Sequence, residues 1–258
     1  MLLILPPSDT QRPSPDHGRP VDLGSLSFPE LTPMRVRILD ALVETSARAD
    51  AFERLLVRPS MAEAVARNTA LPDLPALPVL EVYSGPLHQG LDASTFSAVA
   101  RDRAGRSLVV TSALWGALRP RDRIPPYRLD VCARLVGLDR LEPTWRTVLP
   151  DALAVAAGTS GIVVDLRSPS YQAIGLPTGL GDRTISLHVE QHAAGGRRIG
   201  DVIAKRVRGM AARHLLESDA EPETVDDVAD LLADRWPVQP RPPARRGQPT
   251  RLSLTPDG

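Results

Sequence analysis

Apolar residues fall along this chain in short runs, each closed by a polar or proline-rich segment. Leu2, Leu3, Ile4 and Leu5 form an unbroken apolar run stopped by Pro6-Pro7 and followed by Ser8-Asp9-Thr10, the pattern of a buried strand that delivers a loop. The runs Val79-Leu80-Glu81-Val82-Tyr83, residues 107–112 and residues 161–166 read the same way. Thr184-Ile185-Ser186-Leu187-His188-Val189-Glu190 alternates polar and apolar like a half-exposed strand. Several buried strands that each end in a polar loop predict a sheet with functional loops gathered at one end.

Helical spacing fills the intervals. Leu31-Thr32-Pro33 starts a helix carrying Val36, Leu39, Leu42 and Val43 on one side, because proline suits the first helical position. Residues 47–68 continue in helical period with a break near Pro59. Residues 146–157, with Leu149, Leu153 and Val155 turned inward, and residues 199–217 complete the set. Residues 11–30 read as a long connection. Residues 218–235 form an acidic, helical extension, and residues 236–258, with six prolines, are expected to be a disordered Pro/Arg-rich tail.

Composition narrows the classes. With 258 residues and 42% hydrophobic content the chain can bury a real core, while aromatics at 3% leave that core to Leu, Val, Ile and Ala. The net charge is zero, from 31 basic and 31 acidic residues, yet the charge is segregated. Basic residues concentrate at 119–128 and 205–213, and eight acids without a Lys or Arg occupy 217–234. The single Cys132, between Val131 and Ala133, excludes an internal disulfide and reads as a buried structural thiol rather than a peroxide sensor. No apolar stretch approaches the roughly 20 residues that cross a bilayer, so a cytoplasmic protein without membrane contact is expected. No P-loop, GxGxxG, G-x-S-x-G or HExxH arrangement occurs. His188 and His192, four apart, would align on a helix as metal ligands, but the local alternation favours a strand. No cofactor or metal is expected.

Sequence motifs are more specific. Tyr83-Ser84-Gly85, Leu91 through Thr95-Phe96, Ser112-Ala113-Leu114-Trp115-Gly116-Ala117-Leu118-Arg119-Pro120 and Pro126-Tyr127-Arg128-Leu129 occur in order. Val164-Asp165-Leu166-Arg167-Ser168 and Ala204-Lys205-Arg206-Val207-Arg208-Gly209-Met210-Ala211-Ala212-Arg213 follow. This series resembles the YaaA peroxide-stress family pattern Y-x-G, L-x-x-x-T-F, S-G-L-Y-G-x-L-R-P-x-D, P-Y-R-L, N-L-A-S-x-E-Y and A-K-x-A-R-G-x-M-x-R, and covers about residues 1–217. The departures are a first loop without Lys, Ser112-Ala113-Leu114 for S-G-L, Asp165 for Asn and Ser170 for Glu.

The resemblance implies a single α/β domain, a mixed sheet with surrounding helices, containing a helix-hairpin-helix-like element and a basic cleft. It implies a peroxide-stress protein that binds the phosphate backbone of DNA without sequence specificity and limits oxidative damage. Leu114 to Leu118 resembles the glycine hairpin of such elements, whose exposed amides receive phosphate oxygens. The candidate contacts are Arg119, Arg121, Arg128, Lys205, Arg206, Arg208 and Arg213. At about 100° per residue the last four lie on one arc of a helix opposite Ile203, Val207 and Met210. Equally, these cations fit a solvated face paired with the neighbouring acids. A second reading is an enzyme acting on a small anionic or nucleotide-like molecule, with Ser8, Asp9, Ser168 and Tyr171 forming a pocket and Asp9 as base. DNA binding calls for cations spread along an open groove, and an enzyme for cations converging on a closed pocket.

Overall fold

The computed structural model describes residues 1–138, 140–192, 196, 198–243 and 245–256. Strand β1 (Leu2–Leu5) leads through a long loop to α1 (Thr32–Ser46), α2 (Ala51–Arg54) and α3 (Ala62–Asn68). Then come β2 (Leu77–Pro78), α4 (Val79–Val82), α5 (Pro86–Leu91), α6 (Ala98–Ser107), β3 (Leu108–Ser112), β4 (Gly116–Leu118) and β5 (Arg123–Ile124). The second half holds α7 (Leu141–Arg146), α8 (Leu149–Ala157), β6 (Val163–Asp165), α9 (Pro169–Gln172), β7 (Thr184–Val189), α10 (Asp201–Glu217), α11 (Val225–Ala233), β8 (Val238–Arg241) and β9 (Thr250–Leu254).

Seven strands make one mixed sheet in the order β4-β3-β1-β6-β7-β9-β8. The inner five run parallel and the two outer strands antiparallel. All four residues of β1 are buried, as a strand flanked by parallel neighbours and covered on both faces requires, which explains its continuous apolar sequence. The sheet with its covering helices is a mixed α/β domain.

Helix α10 is set against α5 at backbone contact. A Cβ at Gly209 would lie 1.9 Å from the Leu87 carbonyl oxygen, and one at Gly90 2.1 Å from that of Arg206. Both glycines are therefore fixed by close approach rather than by a turn. Helix α11 opens with a capping box between Thr224 and Asp227, which satisfies backbone N–H groups that a bare helix end leaves open.

Five expectations are corrected. Residues 79–82 form one helical turn, not a strand, because the run follows Pro78 and the Val79 amide donates to the Asp122 carbonyl; a short apolar run fits either state. The segment 236–258 is not wholly disordered, since it supplies β8 and β9 and buries Trp236, Leu252 and Leu254. Pro240 sits on the edge strand, where a missing N–H faces no partner, and the other internal prolines fall in the connections.

Leu114 to Leu118 is the tip and return strand of a β-hairpin rather than a helix-hairpin-helix element. Ala113, Leu114, Trp115, Ala117 and Leu118 are all buried. Gly116 turns with φ +74°, and a Cβ there would strike the Trp145 indole, so the glycine serves packing and not phosphate. Cys132 is exposed, with its amide held by Asp130. Burial of its surroundings, then the Asp130 charge, push the thiol up, away from the reactive thiolate. Val155, expected inside, is 75% exposed.

Candidate functional site

The loops at the carboxyl ends of β1, β3 and β6 converge on a polar centre. Ser112, the last residue of β3, accepts the amides of Leu114 and Trp115 on its Oγ at 3.2 and 2.9 Å. The same oxygen lies 2.7 Å from Tyr127 Oη, which lies 2.9 Å from Tyr83 Oη. All three side chains are buried. Burial, then Tyr127, push the Tyr83 phenol well above its ordinary value. Tyr127 is pushed up to about 12, burial again leading. Both are O–H donors at any physiological pH.

The first loop is stitched to this centre. Gln11 Oε1 accepts the Tyr127 amide at 2.8 Å, and Ser8 Oγ accepts the amides of Thr10 and Gly85. A Cβ at Gly85 would meet Ser8 Oγ at 2.2 Å, which is why a glycine closes the Tyr-Ser-Gly motif. Asp9 pairs with Arg128 and is 72% exposed. On α9, which follows β6, burial and then the Tyr127, Asp130 and Asp9 groups push the Tyr171 phenol well above its ordinary value.

The backbone of Tyr171 is held by a fully buried ion pair. Arg167 donates to both Asp165 carboxylate oxygens at 2.9 and 2.7 Å, and to the Tyr171 and Gly175 carbonyls. Asp165 and Arg167 occupy the Asn and Ala positions of the N-L-A-S pattern, so these two departures arrive together and neutralise each other. The Ser168 hydroxyl, by contrast, has the Ser170 hydroxyl as its one hydrogen-bond partner among the described residues, not a member of the centre.

Beside the centre runs a surface groove of about 610 Å³. Its wall includes Arg12, Tyr83, His88, Arg101 and Arg121, and apolar stretches at Leu80, Phe96 and Pro120. His88 Nε2 meets the Pro6 carbonyl at 3.2 Å, and burial drives the imidazole pKa down to about 4, so the ring is neutral.

The seven basic candidates separate into two groups. Arg119 is spent on the Arg106 and Leu108 carbonyls and on the Phe28 ring, Arg213 on Leu91, Asp92 and Thr95, and Arg128 on Asp9. Arg208 is half-buried, and desolvation lowers its pKa. Arg121, Lys205 and Arg206 remain exposed. Ile203, expected on the packed side of α10, is 45% exposed. The groove adds Arg12 and Arg101, which sequence reasoning missed because neither belongs to a motif or a basic cluster. Tyr83 and Ser112 were legible as motif members, though not as hydrogen-bonded partners.

His188 Nε2 bonds Ser186 Oγ on β7, and His192 forms an isolated bridge with Arg198, so the two do not make a helical metal pair. Residues 193–195 and 197, which follow His192, lie outside the described residues. Among the described residues no group of three His, Cys, Asp or Glu side chains is placed to hold a metal ion.

A mixed sheet with surrounding helices, its polar loops gathered at the carboxyl ends of the parallel strands beside an arginine-bearing groove, defines an open-sheet α/β protein. The chain belongs to the family described as peroxide stress protein YaaA, which it matches over residues 1–241. It is 38% identical to a UPF0246 protein of Streptomyces coelicolor over 98% of both chains. It is also 37% identical to a UPF0246 protein of Corynebacterium efficiens, over 90% of this chain and 91% of that one. Family membership supports a stress-response role. No helix among the described residues is long and apolar enough to cross a membrane.

Proposed function

We propose that this protein acts in the cytoplasmic peroxide response by binding the phosphate backbone of DNA and so limiting oxidative damage to it. The observation that carries the reading is the groove. Arg12, Arg101 and Arg121 line it, and none of them forms an ion pair among the described residues. Of the two acids on its wall, Asp92 is already engaged by Ser94, Thr95 and Arg213, leaving the groove net positive. Lys205 and Arg206 extend the cationic surface on α10, which packs on the helix carrying His88 and Gln89. Spread cations in a surface groove suit a backbone ligand. An enzyme built on Asp9 is disfavoured, because Asp9 is exposed and paired and the cations do not converge on it.

Fluorescence anisotropy with a labelled duplex at several salt concentrations tests the reading. Three to five phosphate contacts give a fall in affinity of roughly 40- to 500-fold between 50 and 200 mM salt. Replacing Arg12, Arg121 and Lys205 together by Ala should weaken binding and flatten that slope. Absence of binding at low salt would sink the proposal.

A further inference from the structure

The direction of the hydrogen bonds in the buried centre can be worked out from its acceptors. Ser112 Oγ already accepts two amides, so its own proton goes to Tyr127. Tyr127 must then donate to Tyr83. The Tyr83 proton comes last in the chain, and Tyr127 is the one side-chain partner of its hydroxyl among the described residues. An O–H donor is therefore left over on a side chain that walls the groove.

His88, on the same wall, presents the opposite need. The Pro6 carbonyl can only accept, so Nε2 carries the proton and Nδ1 keeps a lone pair. That Nδ1 is buried and has no hydrogen-bond partner among the described residues. The two rings lie with centroids 5.2 Å apart. A buried polar group left unsatisfied is costly, and the unpaired His88 Nδ1 beside the unspent Tyr83 proton points to a ligand that supplies a donor to the one and an acceptor to the other.

We infer that this wall reads the hydrogen-bonding edge of an unpaired nucleobase, accepting from Tyr83 and donating to His88, with the attached phosphate held by Arg12 and Arg121. Every nucleobase carries an acceptor beside a donor on the edge that pairing would otherwise occupy. The apolar surfaces of Leu80, Phe96 and Pro120 suit a flat ring, and the groove volume falls within the roughly 300–1,000 Å³ of small-ligand sites. The inference rests on the DNA reading for the strand form of the ligand, but a free nucleoside monophosphate has the same chemistry.

The test compares a fully paired duplex, the same duplex with a one-nucleotide bulge, and free nucleoside monophosphates against ribose 5-phosphate. The native protein should bind the bulged duplex about tenfold tighter than the paired one, and the monophosphates better than ribose 5-phosphate. Tyr83→Phe and His88→Phe should each abolish both preferences, so that the bulged duplex binds no tighter than the paired one and the monophosphates no better than ribose 5-phosphate. Arg12→Ala/Arg121→Ala, both exposed positions, keeps the test open should either core variant fail to fold: it should weaken monophosphate binding. Monophosphate binding without duplex binding would support the base site and overturn the DNA reading. Duplex binding with no preference for the bulge and no monophosphate binding would overturn this inference and leave the DNA reading standing.

Discussion

His88 gives the clearest residue-scale behaviour. Burial lowers its pKa from an ordinary 6.5 to about 4, so between those values the unfolded chain binds a proton that the folded chain refuses. Stability then rises with pH across that window and is lost on acidification, by about 2 kcal/mol at pH 5. Urea unfolding at pH 7.5 and pH 5 should show His88→Gln losing less stability than the native protein by that amount. An equal loss in both would assign the acid sensitivity to other groups. The Asp165–Arg167 pair makes the second residue-scale prediction. Asp165→Asn leaves a buried guanidinium without its counter-charge and should cost about 3–5 kcal/mol by the same measurement. Adding Arg167→Ala, which restores the N-L-A-S pattern, should recover much of it. Neither effect could be read from the chain alone: Asp165 and Arg167 stand two apart in sequence, but only their complete burial makes the pair matter.

At the scale of elements, the α5–α10 contact depends on two absent side chains. Gly209→Ala pushes a methyl into the Leu87 carbonyl, so the helices must separate, at a cost of about 3 kcal/mol. Thermal unfolding should register it, whereas Gly137→Ala, which meets nothing within 4 Å but sits at φ +68°, should show only the smaller backbone penalty. The helical period of α10 was visible in the sequence, and so was the burial of Val207. Residues 79–82 and the 113–118 hairpin were not, because a few consecutive apolar residues fit a helical turn, a strand or a tight hairpin equally well. What decided them was outside the segments: the Asp122 carbonyl for the first, β3 and Trp145 for the second.

At the scale of the molecule, the sheet is completed by its last strands. A chain ending at residue 235 would expose the edge of β7 and give up the burial of Trp236, Leu252 and Leu254, roughly 5 kcal/mol in all. It should unfold at lower temperature and self-associate through the open edge, which size-exclusion chromatography would show. If it remained monomeric and equally stable, the tail would be dispensable. The sequence by itself determined buried strands ending in polar loops, the family pattern and the α/β class it implies, and the residues of the Tyr-Ser-Gly and Pro-Tyr-Arg-Leu motifs. Those features reside in local periodicity and in residue identity, which a linear reading preserves. Only the tertiary structure decided which arginines stay free, that Ser112, Tyr127 and Tyr83 form one directed chain, and that Arg12 and Arg101 share a groove with Arg121. Each of these depends on which carbonyls and carboxylates the fold brings within hydrogen-bonding reach, and the partners stand up to 122 residues apart in the chain.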